Sequence, residues 1–141
     1  MKILFTKLSD EEHRVKVIRD DGSEDQTTLD SRSFLRHDFA HLAAEQRVEI
    51  ENGFWGLVAK GAALDGEGIG GPKIQLAESL AGPIQTLMRL NAPVEKFESY
   101  LSHLLPDRNC SQLAIEIKEK GRQLEGHWRA TPFGETMEVE W

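Results

Sequence analysis

The sequence predicts an α+β fold in which a small antiparallel sheet packs with a helical segment of about four helices. Apolar and polar residues alternate through the first thirty positions, apolar residues recur at helical spacing in the middle, and alternation returns in the last seven residues. Strands at the two ends can therefore pair with each other. With 141 residues, the chain is expected to form a single domain over residues 1–141.

The first thirty residues predict a meander of two or three short strands. The alternating positions that define these strands are Ile3 and Phe5, Val15 and Val17, and Thr27 and Leu29. Residues 20–23 separate the second and third strands, and their Asp-Gly pair supplies the positive φ angles of a tight hairpin turn. Residues 135–141 alternate in the same way, so we expect them to return to this sheet as a further strand.

The middle of the chain predicts helices. The first begins with Ser31 or Ser33 as its N-cap and runs to about Asn52, where Gly53 ends it. A short apolar helix is expected within residues 54–64, and longer ones over residues 73–90 and 94–105. Residues 111–128 fit either a strand or a helix, and their length and Glu/Lys content favour a helix.

Composition narrows the class of protein. The net charge of −7 and the scattering of basic residues along the chain exclude nucleic acid as an expected partner. No apolar run approaches the roughly 20 residues that cross a bilayer, and the amino terminus lacks a secretory segment. The single cysteine, Cys110, cannot form an internal disulfide, which is typical of a reducing compartment. We therefore expect an acidic, cytoplasmic protein that does not enter membranes.

Two histidines on the first predicted helix have metal-ligand spacing. His37 and His41 are four residues apart, so on a helix their Cβ atoms lie on one side, about 6 Å apart. Asp38 and Glu45 flank this pair, and the apolar residues Phe34 and Val48 lie at its edge, which indicates a half-buried face rather than a freely solvated one. No cofactor is required by the sequence, but His37 and His41 could ligate zinc or another divalent metal.

The segment from His37 to His41 resembles the His-Glu-x-x-His helix of zinc metallopeptidases, with Asp38 in place of the glutamate. The aspartate is shorter by one methylene, about 1.5 Å, and a general base must lie within about 3 Å of the proton that it takes. Peptidase chemistry therefore does not follow from the spacing. Asp38 and Glu45 are the candidates for a base or for a group that supports the ligands.

A third ligand is not fixed by the spacing. Glu45 lies about 12 Å of helix rise beyond His37 and cannot join both histidines on one ion in a straight helix. His13, His103 or His127 would have to be brought in by the fold. The alternative is that the paired histidines hydrogen-bond to neighbouring carboxylates and dock the helix, or that they sense pH or contact a partner.

Two segments resemble a pair of motifs from a family of small bacterial proteins of unassigned function. They are RHDFAHLAAE at residues 36–45, which has the form RHDxxHxxxE, and GFWGLVAKGA at residues 53–62, which has the form GFWGLVAxGA. The resemblance covers residues 36–62. It implies a bacterial, cytoplasmic setting and brings no activity or site residue with it.

Two classes of function follow, and the sequence leaves open whether the protein is an enzyme. The first is a non-catalytic protein-binding or assembly module that contacts a protein partner or self-associates, and it leads because no complete catalytic set is present. The second is a small metal-dependent hydrolase with His37 and His41 as ligands and Asp38 or Glu45 as base or supporting group.

Overall fold

The computed structural model describes residues 1–67 and 69–141, and it confirms the predicted α+β class. Four strands and five α-helices lie in these residues. The strands are β1 (Lys2–Lys7), β2 (Glu12–Ile18), β3 (Glu24–Asp30) and β4 (Thr136–Glu140). The helices are α1 (Arg36–Val48), α2 (Phe54–Ala59), α3 (Pro72–Arg89), α4 (Val94–Leu104) and α5 (Cys110–Ala130). None of the helices in the described ranges is long and apolar enough to span a membrane.

The strands form one antiparallel sheet in the order β3-β2-β1-β4. Ile3 lies opposite Val17 on one side and Val139 on the other, so the last strand returns to the first, as the alternation predicts. Gly22 has a φ of 83° in the turn between β2 and β3, a conformation that glycine adopts without steric cost. The predicted meander and the returning strand are both confirmed.

Helix α1 lies between two apolar cores. One core joins the inner face of the sheet to α1 and α2 and contains Phe5, Phe39 and Trp55, which are almost fully buried. The other joins α1 to the remaining helices, and there α1 contributes the small residues Ala40, Ala43 and Ala44. Small side chains allow another helix to approach closely, and α1 and α3 are in extensive contact.

The start of the first helical segment differs from the prediction. Asp30, at the end of β3, accepts a hydrogen bond from the backbone amide of Ser33 at 2.7 Å and is the N-cap in place of either serine. A π-helical turn over Ser31–Leu35 then leads into α1. The Ser31 hydroxyl lies 3.0 Å from Nδ1 of His13 and is engaged there. The predicted serine caps are wrong because a carboxylate at the strand end reaches the same amide.

The end of this helix also differs from the prediction. Glu49 has a φ of 63°, in the left-handed region, and α1 ends at Val48 rather than at about Asn52. The amide of Ile50 then donates to the carbonyl of Glu45 at 2.9 Å, so the chain turns sharply. The predicted end is wrong because no glycine or proline marks the reversal at residue 49.

The segment with two interpretations is the long helix α5. Leu113, Ile117 and Leu124 lie on its buried face, whereas Ile115 is 52% exposed. A strand would have placed Leu113, Ile115 and Ile117 on one face. The helical interpretation is therefore confirmed, and Asn109 caps the helix by accepting from the amide of Gln112.

Candidate metal centre

The rings of His37 and His41 lie together on one side of α1. Their centroids are 4.6 Å apart and the ring planes are inclined by 67°. The His41 side chain is only 2% exposed, whereas that of His37 is 31% exposed. The pair is thus closed on the His41 side and accessible on the His37 side.

A carboxylate from α3 meets both rings. Glu78 Oε1 lies 3.4 Å from His41 Nε2, and Oε2 of the same side chain lies 3.8 Å from His37 Nε2. One ligand atom from each of these three residues can be chosen so that all lie within 4.8 Å of one another. The close packing of α1 on α3 brings the carboxylate to the histidines, and sequence reasoning missed it.

A second carboxylate fixes the orientation of the His41 ring. Glu45 Oε1 lies 2.7 Å from His41 Nδ1, and the Glu45 side chain is fully buried. Its two oxygens also accept from the backbone amides of Phe54, Trp55 and Gly56, at 2.8, 3.1 and 3.4 Å. An acceptor-only carboxylate assigns the proton of the neutral ring to Nδ1, so the lone pair of Nε2 points toward Glu78.

The protonation state of His37 suits a metal ligand. Burial lowers the pKa of His37 below its ordinary value, the neighbouring His41 lowers it further, and Glu78 opposes the shift. The ring is therefore neutral near pH 7, which leaves Nε2 with a lone pair. Only a neutral imidazole can bind a metal ion.

Asp38, the second candidate from the sequence, is placed differently. It is 7% exposed, and burial raises the pKa of its carboxyl to about 8. The carboxyl therefore carries a proton at neutral pH and is poorly prepared to accept another. Its backbone carbonyl accepts from Nε1 of Trp55 at 3.1 Å, which joins α1 to α2.

The other histidines do not join the cluster formed by the described residues. His13 is buried in β2 beside Phe5, with its Nδ1 at the Ser31 hydroxyl. His103 on α4 and His127 on α5 are exposed. Glu78 was marked in the sequence only by being the single acidic residue of α3.

The two sequence motifs form one hydrogen-bonded unit. The first carries Glu45, and the second carries Gly53 and the α2 amides that the Glu45 carboxylate binds. A Cβ atom on Gly53 would lie 2.2 Å from the carboxylate carbon of Glu45, so only glycine fits beside it. The spacing of the two motifs thus reflects one buried contact.

Comparison of the chain with protein-family models, curated proteins and solved structures finds no match. The resemblance over residues 36–62 therefore stays a prediction.

Proposed function

We propose that the protein binds one divalent transition-metal ion, with zinc as the first candidate, through His37, His41 and Glu78, and that it uses this ion in hydrolysis. The observation that carries the proposal is the pairing of His41 Nε2 with Glu78 Oε1 at 3.4 Å. With Nδ1–H committed to Glu45 in the neutral ring, both of these atoms are acceptors. Two acceptors face each other stably when a positive charge lies between them.

The donor set supports a metal ion as that charge. Two imidazole nitrogens and one carboxylate oxygen form one of the ligand sets of catalytic zinc sites, which hold the metal by three protein groups and leave a fourth position for a substrate or water. The His37 side chain is 31% exposed and that of Glu78 is 48% exposed, so the fourth position can be reached. A structural zinc site, in contrast, uses four protein ligands.

The contact behind His41 supports the same proposal. Histidine ligands of metals commonly donate their second ring N–H to a carboxylate, which holds the ring and raises its basicity. Glu45 makes this contact at 2.7 Å. The amides at the start of α2 hold the carboxylate in turn, so the ring has little freedom to rotate.

Hydrolysis is the activity that fits such an ion. Zinc has no redox chemistry, and it acts as a Lewis acid that polarises a carbonyl or phosphoryl oxygen and acidifies water. A side-chain base is not supplied by either candidate from the sequence, because Asp38 is protonated and Glu45 is engaged with His41 and α2. The acidity of the metal would take over that role.

A protonated His41 is the competing explanation of the same contacts. An imidazolium would donate Nδ1–H to Glu45 and Nε2–H to Glu78 and would form two ion pairs without a metal. Nitrogen-15 NMR distinguishes the two, since a metal-bound ring keeps one N–H whereas an imidazolium has two. The imidazolium signature at pH 7 in zinc-supplemented protein would contradict the proposal.

The protein-binding hypothesis stays a prediction of the sequence. Large hydrophobic side chains are exposed at six positions, which lie on separate stretches of the described chain. They are Leu8, Phe34, Leu76, Leu90, Ile115 and Phe133. A protein partner or self-association therefore has no observation in its favour comparable to the histidine cluster.

The first experiment measures metal content. Tag-free protein purified with zinc is analysed by mass spectrometry alongside His37→Ala, His41→Ala and Glu78→Gln, with His103→Ala as the exposed-histidine control. We expect one zinc per chain in the wild type and the control, and a loss of at least about tenfold in zinc affinity in the three variants. A wild type without metal, and with no change of Tm on adding a chelator, would refute the metal site.

The second experiment measures hydrolysis. The zinc-loaded protein is tested on ester, phosphoester and amide surrogate substrates, in the presence and absence of chelator. We expect one class to be hydrolysed by the wild type and by His103→Ala, but not by Glu78→Gln. Bound zinc without hydrolysis of any class would refute the hydrolase proposal and leave the metal site standing.

A further inference from the structure

A cavity of about 730 Å³ lies on the other side of α1 from the histidine cluster. At about 100° per residue, the α1 positions that line it, Arg36 and Phe39, point roughly 150° away from His37 and His41. Its apolar lining residues come from the π-helical turn, α1, α3, α4 and α5. They are Leu35, Phe39, Leu87, Met88, Phe97 and Trp128. The volume is within the range of small-molecule sites, about 300–1,000 Å³.

The charged residues of this cavity are almost all cationic. Six basic side chains line it, against the single carboxylate of Glu125. The cationic residues are Arg32, Arg36, Arg89, Lys118, Arg122 and Arg129. The whole chain has 17 basic and 24 acidic residues, so this concentration is opposite in sign to the net charge of −7. Basic residues that are scattered along the sequence thus converge in space.

Part of this positive charge has no carboxylate within ion-pair distance. Glu125 Oε1 contacts Arg36 Nε at 2.6 Å, and Arg129 Nη2 lies 4.0 Å from the other carboxylate oxygen. Lys118 donates to the backbone carbonyl of Ala92 at 2.7 Å. In the part of the chain that the structure describes, neither Lys118 nor Arg89 has a carboxylate within ion-pair distance.

The remaining two arginines are held only by solvent-exposed pairs. Arg32 lies 2.9 Å from Glu11 and Arg122 lies 3.1 Å from Glu119, with all four side chains exposed. Exposed ion pairs of this kind contribute little to stability. Both guanidinium groups can therefore exchange their partner for an incoming anion at small cost.

We infer that this cavity binds a small organic phosphate that carries at least two negative charges and a flat apolar group. Guanidinium groups match phosphate oxygens in a two-point geometry, and several of them favour a multiply charged group. The ring of Trp128 and the apolar lining residues offer a surface on which a planar ring system can pack. Inorganic phosphate alone would leave this surface uncovered. A nucleoside diphosphate has both parts and is the natural probe.

Isothermal titration calorimetry tests this inference with ADP, adenosine and pyrophosphate. All titrations are run in chelator, so that no metal at His37 and His41 takes part. We expect ADP to bind at least about tenfold more tightly than either fragment, since each part adds contacts worth about 1.4 kcal/mol or more. Absence of ADP binding at millimolar concentration would overturn the inference. Pyrophosphate binding as tightly as ADP would overturn the apolar half of the site.

Charge-reversal variants at the exposed rim locate the binding. Arg89→Glu and Arg122→Glu should each weaken ADP binding at least about tenfold, because a charge-assisted hydrogen bond is replaced by repulsion. Arg14→Glu, an exposed reversal on β2 outside the cavity, should change it by less than about twofold because solvent screens distant charges. An equal loss in all three variants would indicate nonspecific attraction. Tighter binding of a single-stranded oligonucleotide than of ADP would also overturn the assignment.

Discussion

The buried carboxylate of Glu45 lies 2.7 Å from Nδ1 of His41. Its two oxygens also accept hydrogen bonds from the first backbone amides of α2. The orientation of a candidate ligand and the position of a neighbouring helix therefore depend on one side chain. This side chain is four residues along α1 from the ring that it holds. A change at Glu45 should alter both the metal site and the stability of the fold.

Replacing Glu45 with glutamine tests that dual role. The amide keeps the volume but loses one acceptor oxygen, and none of the contacts that remain is charge-assisted. We expect the zinc affinity to fall by about 10- to 100-fold and the free energy of unfolding to fall by about 1–3 kcal/mol. Zinc competition titration and urea unfolding measure the two effects. Glu95→Gln, exposed on α4, is the control, and an unchanged zinc affinity in Glu45→Gln would contradict the orienting role.

Gly53 should not tolerate a side chain. A Cβ atom there would lie 2.2 Å from the Glu45 carboxylate carbon, so Gly53→Ala must displace a fully buried group. We expect the free energy of unfolding to drop by about 1–3 kcal/mol. Gly126→Ala in α5 is the matched control, because nothing lies within 4 Å of its Cβ position. There alanine should stabilise the helix by up to about 1 kcal/mol, and equal effects at both glycines would refute the argument.

Acidification should destabilise the protein through His13. Burial lowers the pKa of His13 from 6.5 to about 4. The unfolded state therefore binds a proton at this residue below pH 6.5, whereas the folded state binds it only below about pH 4. The free energy of unfolding should therefore fall as the pH drops from 6.5 to 4, with roughly 3 kcal/mol from this residue. Urea unfolding at a series of pH values measures it. His13→Leu should lose this part of the slope, whereas His127→Gln should keep it.

Replacing Arg19 with lysine should reduce the stability of the fold. Its Nε donates to the carbonyl of Val58 at 2.6 Å and its Nη2 to that of Ala62 at 2.9 Å, so the guanidinium joins the end of β2, which it follows directly, to α2 and the residues after α2. Lysine keeps the charge but cannot donate at both positions from one planar group. We expect Arg19→Lys to cost about 1–3 kcal/mol of unfolding free energy. Arg14→Lys, exposed near the start of β2, should cost less than about 0.5 kcal/mol, and similar losses in both variants would contradict this role.

The parts of the fold that the sequence predicts well are those with a local periodic signal. Met137 and Val139 alternate with Thr136, Glu138 and Glu140, and a period of two determines which face of β4 is buried. The boundaries of α1 were predicted less well. Asp30 is the N-cap instead of Ser31 or Ser33, and Glu49 adopts a left-handed conformation although it is not a glycine. Such ends depend on a few local contacts that compete closely.

The candidate site divides in the same way. Helical periodicity brings His37 and His41 together because four residues are about one turn. Glu78 joins them only because α1 packs on α3, and no spacing along the chain encodes that contact. The basic cavity depends even more on contacts between distant elements, because Arg36, Arg89 and Lys118 are far apart in sequence and meet only after folding. Contacts between distant elements therefore supply what local patterns cannot.

The position of α1 between two apolar cores also determines how the protein opens. Its backbone amides are shielded by the sheet on one side and by the other helices on the opposite side, so they can reach solvent only when both cores separate. Amide hydrogens near Ala43 should therefore exchange with deuterium at the rate of global unfolding. Those at the exposed ends of α4 should exchange much sooner. The helix that carries the histidine pair would then be the last part of the chain to lose its structure.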